Sequence, residues 1–342
     1  MRLIETIIKN NYKTVSIAGL AKNAGKTVAL NYLIEESLNY DLAIGITSAG
    51  RDGETIDLVT NTQKPSVYAV EGMYAATGKK ALLLSDVRYE VLETTGINTP
   101  MGEIVIIKVR QNGSIQIAGP VNAADMKYIC KRLNYYGAKT VFIDGAVDRR
   151  AVSSPVVTDA CIIATGSVLS RDMKKVINLT SFAVECCNLE QIDENIKKMI
   201  LKYNKTCIIQ KNSEIILPDI NISLAGGKKI SDNIDENTKY IFIRGAITTD
   251  LLKAITDNEF CGDIKYIVED GTKIFVDLKI WSELRRKGLK LFVLYKTDVI
   301  AVTVNPVSPA GYFFDSDEFI ENLSHSIPEI KIIDVMSGGE EN

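Results

Sequence analysis

Residues 14–40 read TVSIAGLAKNAGKTVALNYLIEESLNY, and this stretch constrains the fold more than any other part of the chain. A β-branched run enters a glycine-containing loop. The loop leads straight into a segment with apolar residues at Val28, Leu30, Leu33 and Ile34, the spacing of one helix face. A strand that feeds a helix through a short loop opens a parallel β-α-β unit. The pattern recurs, with DLAIGITS (41–48), KTVFIDG (139–145) and DACIIATG (159–166) reading as further buried strands. NAADMKYICKRLNYYG reads as an amphipathic helix capped by Asn122 and closed by Gly137, and SRDMKKVINLTSFAVECCNL and QIDENIKKMILKYN as two more helices. An α/β fold with a mainly parallel sheet flanked by helices is the expectation.

Two local readings refine this. GEIVIIKVRQNGSIQIAG (102–119) holds two alternating runs around Asn112-Gly113, which predicts a hairpin with a type I′ turn. Around Lys205 the strand pattern restarts, with a polar GGKK turn at Gly226-Gly227, then KYIFIRGAI, the helix TDLLKAITDN, TKIFVDL and LKLFVLYKTDVIAVTVNP. The 342 residues suffice for two domains. The expected division is a first domain over 1–205 and a second, smaller α/β domain over 206–342.

Composition removes several functions. The chain has 40 Lys+Arg against 43 Asp+Glu and a net charge of −3, without the basic excess of a phosphate-backbone binder, so nucleic acid is not an expected partner. No apolar run of membrane-spanning length and no signal-peptide pattern occurs, so a cytoplasmic protein without membrane association is expected. The six cysteines lack a CxxC pair and read as reduced thiols. The single histidine, His325, reads as a solvated helix end and leaves no material for a His-based zinc site or a Ser-His-Asp triad.

The loop AGLAKNAGKT carries the chemistry. Wrapping a triphosphate requires inward backbone N–H groups, a residue without Cβ at the closest approach, a lysine for the outer phosphates and a hydroxyl for Mg²⁺. Gly25, Lys26 and Thr27 supply the last three, at the amino end of a helix whose dipole favours an anion. The expected nucleotide contacts are Gly19, Lys22, Asn23, Ala24, Gly25, Lys26, Thr27 and Val28. Five residues separate Gly19 from Gly25, one more than in the common phosphate-binding pattern.

That five-residue spacing resembles the P-loop of the dethiobiotin synthetase and cobyric-acid synthase branch of P-loop NTPases, which implies a P-loop NTPase-type sheet, ATP and Mg²⁺. VFIDG then resembles the second nucleotide motif, with Asp144 on Mg²⁺ directly or through water. In TSAGRDGE, Asp52 and Glu54 are candidates for contact with metal-bound water and Arg51 for an anionic group, although D-G is also ordinary turn chemistry. Lys26 and Asp52 are the candidate catalytic residues, Asp52 for positioning the hydrolytic water; Thr27, Asp144 and Glu54 are the candidate metal ligands. Gly166 and Ser167 are placed to contact base or substrate, and ATP against GTP stays open.

A longer similarity runs through GITSAGRDGETIDLVTNTQKPSVYAVEGMYAAT, LSRD and AVTVNPVSPAGYFFDSDEF, which together resemble the nucleotide-binding subunit of lysine 5,6-aminomutase reactivases. The resemblance implies an ATP-dependent reactivating factor that acts with a second reactivase subunit on a cobalamin-dependent aminomutase to release damaged cobalamin, with the second domain as partner contact. The alternative implied by the loop is an ATP-dependent carboxylate synthetase of the dethiobiotin type, and a nucleotide-sensing protein without turnover is a third.

Overall fold

The computed structural model describes residues 2–50, 66–145, 154–218 and 226–336. The chain divides into two units, 1–184 with 298–342 and 185–297. The expected division at residue 205 is thereby corrected. The final strands return to the first sheet, and the smaller unit is an insertion rather than a carboxy-terminal domain.

The larger unit is built on strands β1 (Thr14–Gly19), β2 (Ile44–Ser48), β3 (Tyr74–Gly78), β4 (Arg88–Thr99), β5 (Gly102–Gln111), β6 (Thr140–Gly145), β7 (Ala160–Gly166), β8 (Val299–Asn305) and β9 (Lys331–Asp334). Among the described residues they form one sheet in the order β9-β8-β7-β1-β6-β2-β3-β5-β4. Every pairing from β9 across to β3 is parallel, and β5 is antiparallel to both β3 and β4. The central strands β1, β2, β6 and β7 are buried almost throughout, as continuous apolar runs covered on both faces must be.

Helices α1 (Leu3–Lys9) and α2 (Lys26–Asn39) pack on one face, where Leu3, Ile7, Leu30 and Leu33 meet Val15, Ile17, Ile46 and Phe142. Each such side chain withdrawn from water contributes about 1.5–3 kcal/mol. Helix α3 (Ala123–Tyr136) covers the other face through Met126, Ile129 and Leu133 against Val141 and Ile143. Its ends are as expected: the Asn122 side chain accepts from the Asp125 N–H, and Gly137 takes φ +127°. His325 is exposed near the end of helix Ser316–Ser326.

The Asn112-Gly113 hairpin does not form. Residues Gly113–Ile115 pair with Val67–Ala69, while β5 turns back on β4 through Pro100-Met101. Neither Asn112 nor Gly113 has positive φ. Asn112 instead accepts the Glu71 N–H through its side chain, and a Cβ on Gly113 would lie 3.2 Å from the Asp86 backbone, so that glycine serves close packing.

In the smaller unit, Thr238–Ile243, Lys265–Val268 and Lys290–Val293 run parallel, and Cys207–Gln210 joins them antiparallel. The run LKLFVLYKTDVIAVTVNP splits between the units, into Lys290–Val293 here and β8 in the larger sheet. The expected GGKK turn is the first part of a short helix, Gly226–Ser231. A Cβ on Gly227 would fall 2.8 Å from that of Ala254, so glycine permits this helix to approach Thr249–Thr256. None of the six cysteines is in a disulfide; burial pushes the Cys207 thiol up to about 11 and that of Cys130, with some help from Asp159, to about 12.

One glycine fixes where the larger sheet ends. A Cβ on Gly119 would fall 1.9 Å from the Ser48 carbonyl oxygen and 2.8 Å from Thr47 Oγ1. The Gly119 N–H donates to the Gly50 carbonyl, and the Gly50 N–H to that of Pro120. Gly119→Ala is expected to destabilise the protein by about 1–3 kcal/mol through overpacking, read as a lower unfolding temperature.

Candidate functional site

The parallel register sets five strand ends side by side. Ile17 of β1 aligns with Asp144 of β6, which aligns with Ser48 of β2; on the other side Gly19 aligns with Ala164 of β7, and Asn305 of β8 with Gly166. Residues in register on parallel strands share a face. Two residues earlier in the same rows lie Val15, Phe142 and Ile46, all in the cluster covered by α2. Asp144 and Ser48 therefore belong to the α2 face, at the level where that helix begins with Lys26 and Thr27.

Between β1 and α2 the loop takes the conformation that its residue types permit. Asn23 has φ +59° and Gly25 φ +97°, while Ala24 between them does not. Alternation of this kind turns successive amides toward a common side and is the backbone of anion-binding nests. Gly25 is the cap residue and has no side chain to cap the helix, and the first turn carries no acidic residue. The Ala29 N–H reaches the Gly25 carbonyl, so the amides of Lys26, Thr27 and Val28 precede the first helical hydrogen bond. With fourteen residues of α2 behind it, that end presents partial positive charge.

Lys26 folds back across the start of the loop: a Cβ on Gly19 would lie 2.8 Å from its Cγ and 2.9 Å from its Cδ. Among the described residues Lys26 has no ion-pair partner. Gly19 thus lacks a side chain because the lysine stem occupies that space. Lys22 is exposed at the loop's tip, Asn23 is half-buried, Ala24 is buried, and Thr27 and Val28 are half-buried. The structure brings these loop residues and Asp144 to one strand edge. Asp144 is 7% exposed. Arg51, Asp52 and Glu54 lie outside the described residues.

Sequence reasoning assigned no role to Asn305. Its Nδ2 lies 3.4 Å from the Asn23 carbonyl, its Oδ1 accepts the Val307 N–H, and a Cβ on Gly25 would lie 3.1 Å from its own Cβ. The signal available was a buried strand, AVTVN, broken by Pro306. Ser48 and Thr303 were also missed; both hydroxyls are buried without a hydrogen-bond partner among the described residues, as is that of Ser167. Nearby, the Tyr312 hydroxyl donates to the Ser167 carbonyl, and the Arg171 guanidinium stands 5.1 Å from the Tyr312 ring centre.

The set fits an anion accompanied by a hard cation. Backbone amides and Lys26 suit phosphate oxygens. Thr27, Asp144 and water suit Mg²⁺, which needs only one or two carboxylates when a nucleotide supplies phosphate ligands. Among the described residues no cluster of three or more His, Cys, Asp or Glu exists for a metal held by protein alone. No known family model, curated protein or solved structure matches the chain.

Gly19→Ala tests the lysine's placement. The added methyl meets chiefly the flexible lysine stem, with the Ala21 carbonyl oxygen at 3.2 Å, so pyrophosphate binding, measured by calorimetry, is expected to weaken about tenfold or more, with only a small fall in unfolding temperature.

Proposed function

We propose that this chain binds Mg-ATP through a P-loop at residues 19–28 and hydrolyses it. The observation that carries this reading is the glycine-capped amino end of α2, with Lys26 folded over Gly19 and Asp144 on the same face. In such a site Gly19 and Lys22 to Val28 hold the phosphates, Lys26 neutralises the outer ones, and Thr27 and Asp144 hold the metal. Magnesium, when bound, offsets charge on the transferring phosphoryl group, and positioning supplies most of the remaining catalysis. A P-loop NTPase fold agrees with β1 amid parallel strands, flanked by the strand that carries Asp144 one residue before its end.

The resemblance to lysine 5,6-aminomutase reactivases extends the proposal to a biological task. The chain would use ATP binding and hydrolysis, with a second subunit, to open a cobalamin-dependent aminomutase that holds damaged cofactor. Nucleotide can do such work only through different affinities of its ATP- and ADP-bound states for the partner. No nucleophilic side chain is needed, which suits a site whose titratable groups are two lysines, Lys22 and Lys26, and one aspartate among the described residues.

Two measurements test this. Calorimetry with Mg-ATP and Mg-GTP should show binding that Lys26→Ala reduces by at least about a hundredfold; no heat with either nucleotide overturns the proposal. Turnover should be slow for the protein alone and rise when the second subunit and a cobalamin-inactivated aminomutase are added. Rapid turnover dependent on a small carboxylic acid would instead support the synthetase reading.

A further inference from the structure

We infer that the Ser48 hydroxyl binds a water molecule of the nucleotide's magnesium ion, beside Asp144, and so makes the site prefer metal-loaded over free triphosphate. The inference rests on the nucleotide reading above. Ser48 is the last residue of β2, its relative exposure is 0%, and its Oγ has no hydrogen-bond partner among the described residues. A buried hydroxyl without a partner is destabilising, since it has lost water and gained nothing. Such groups persist where a ligand completes them.

Its position identifies the ligand. Ser48 aligns with Asp144 on the α2 face, and Asp144 aligns with Ile17, two residues before Gly19. The hydroxyl therefore lies one strand beyond the carboxylate, on the side away from β1 and the loop. A neutral donor-acceptor one strand outside a carboxylate suits a water in the cation's hydration shell, because Mg²⁺ dehydrates reluctantly and keeps several waters when bound to a nucleotide.

The backbone prevents Ser48 from relaxing toward solvent. Gly119 fills the space against its carbonyl so closely that a Cβ would fall 1.9 Å away, and the Ala49 N–H donates to the Asp144 carbonyl at 2.7 Å. The β2 end is thus tied to β6 on one side and to the Gly119 segment on the other. Thr47, on the opposite face, has its hydroxyl satisfied by the Ala76 carbonyl at 3.0 Å. The adjacent hydroxyl without a partner is the one on the loop's face.

The test is Ser48→Ala in the full chain, with ATP carrying a fluorescent ribose label as the probe, titrated in excess Mg²⁺ and in excess EDTA. The expected result is about tenfold weaker binding in Mg²⁺, unchanged binding in EDTA, and an unfolding temperature of the nucleotide-free protein equal to or above that of the unaltered chain. Equal loss in both conditions, no loss in Mg²⁺, or a lower unfolding temperature of the free protein overturns the inference and leaves nucleotide binding standing. If the unaltered chain binds the probe in neither condition, the nucleotide reading and this inference fail together.

Discussion

The register between neighbouring parallel strands is the constraint from which the rest of the larger unit follows. Because β1, β6 and β2 pair in parallel register, Ile17, Asp144 and Ser48 stand in one row, on the face that α2 covers. A slip of one residue in β6 would move Asp144 to the α3 face and put Ile143 in its place. The apolar rows just below, Val15 with Phe142 and Ile46, resist that slip, since each is buried against α2 and would have to leave the core. Packing energy in the core therefore fixes polar chemistry at the edge.

The first half of this arrangement was legible in the sequence. β1, α2, β6, β7 and the caps of α3 follow from apolar period, β-branching and cap residues, and these signals agree with the tertiary environment at each place. The errors share one cause: contacts that act across long sequence separations. Asn112-Gly113 has turn chemistry, but the two runs beside it pair with other strands, and Gly113 is needed for space. Gly226-Gly227 suits a turn equally well, but packing against Ala254 draws it into a helix. The boundary near residue 205 failed because nothing local in DVIAVTVN says that the strand joins β7 rather than its neighbour in sequence.

The site shows the same division. Gly25, Lys26 and Thr27 form a local motif and can be read from adjacent residues. Asn305 reaches the loop from 282 residues away in the chain, and Ser48 gains meaning only from its row with Asp144. An ordinary-looking strand end carries no sign that its hydroxyl will be buried without a partner. Gly19 lies between these cases: the sequence marks it as permissive, but only the course of the Lys26 stem explains why a side chain is excluded there.

The inserted unit at 185–297 has a consequence for the order in which the protein is made. Synthesis proceeds from the amino end, so β7 emerges well before β8, its eventual neighbour on the side away from β1. Until then β7 is a sheet margin with unpaired amides and carbonyls, the kind of surface on which chains aggregate. The intervening stretch has its own parallel strands and can condense during that interval. Only when Asn305 leaves the ribosome can the loop at Asn23, made 282 residues earlier, gain its contact with that side chain.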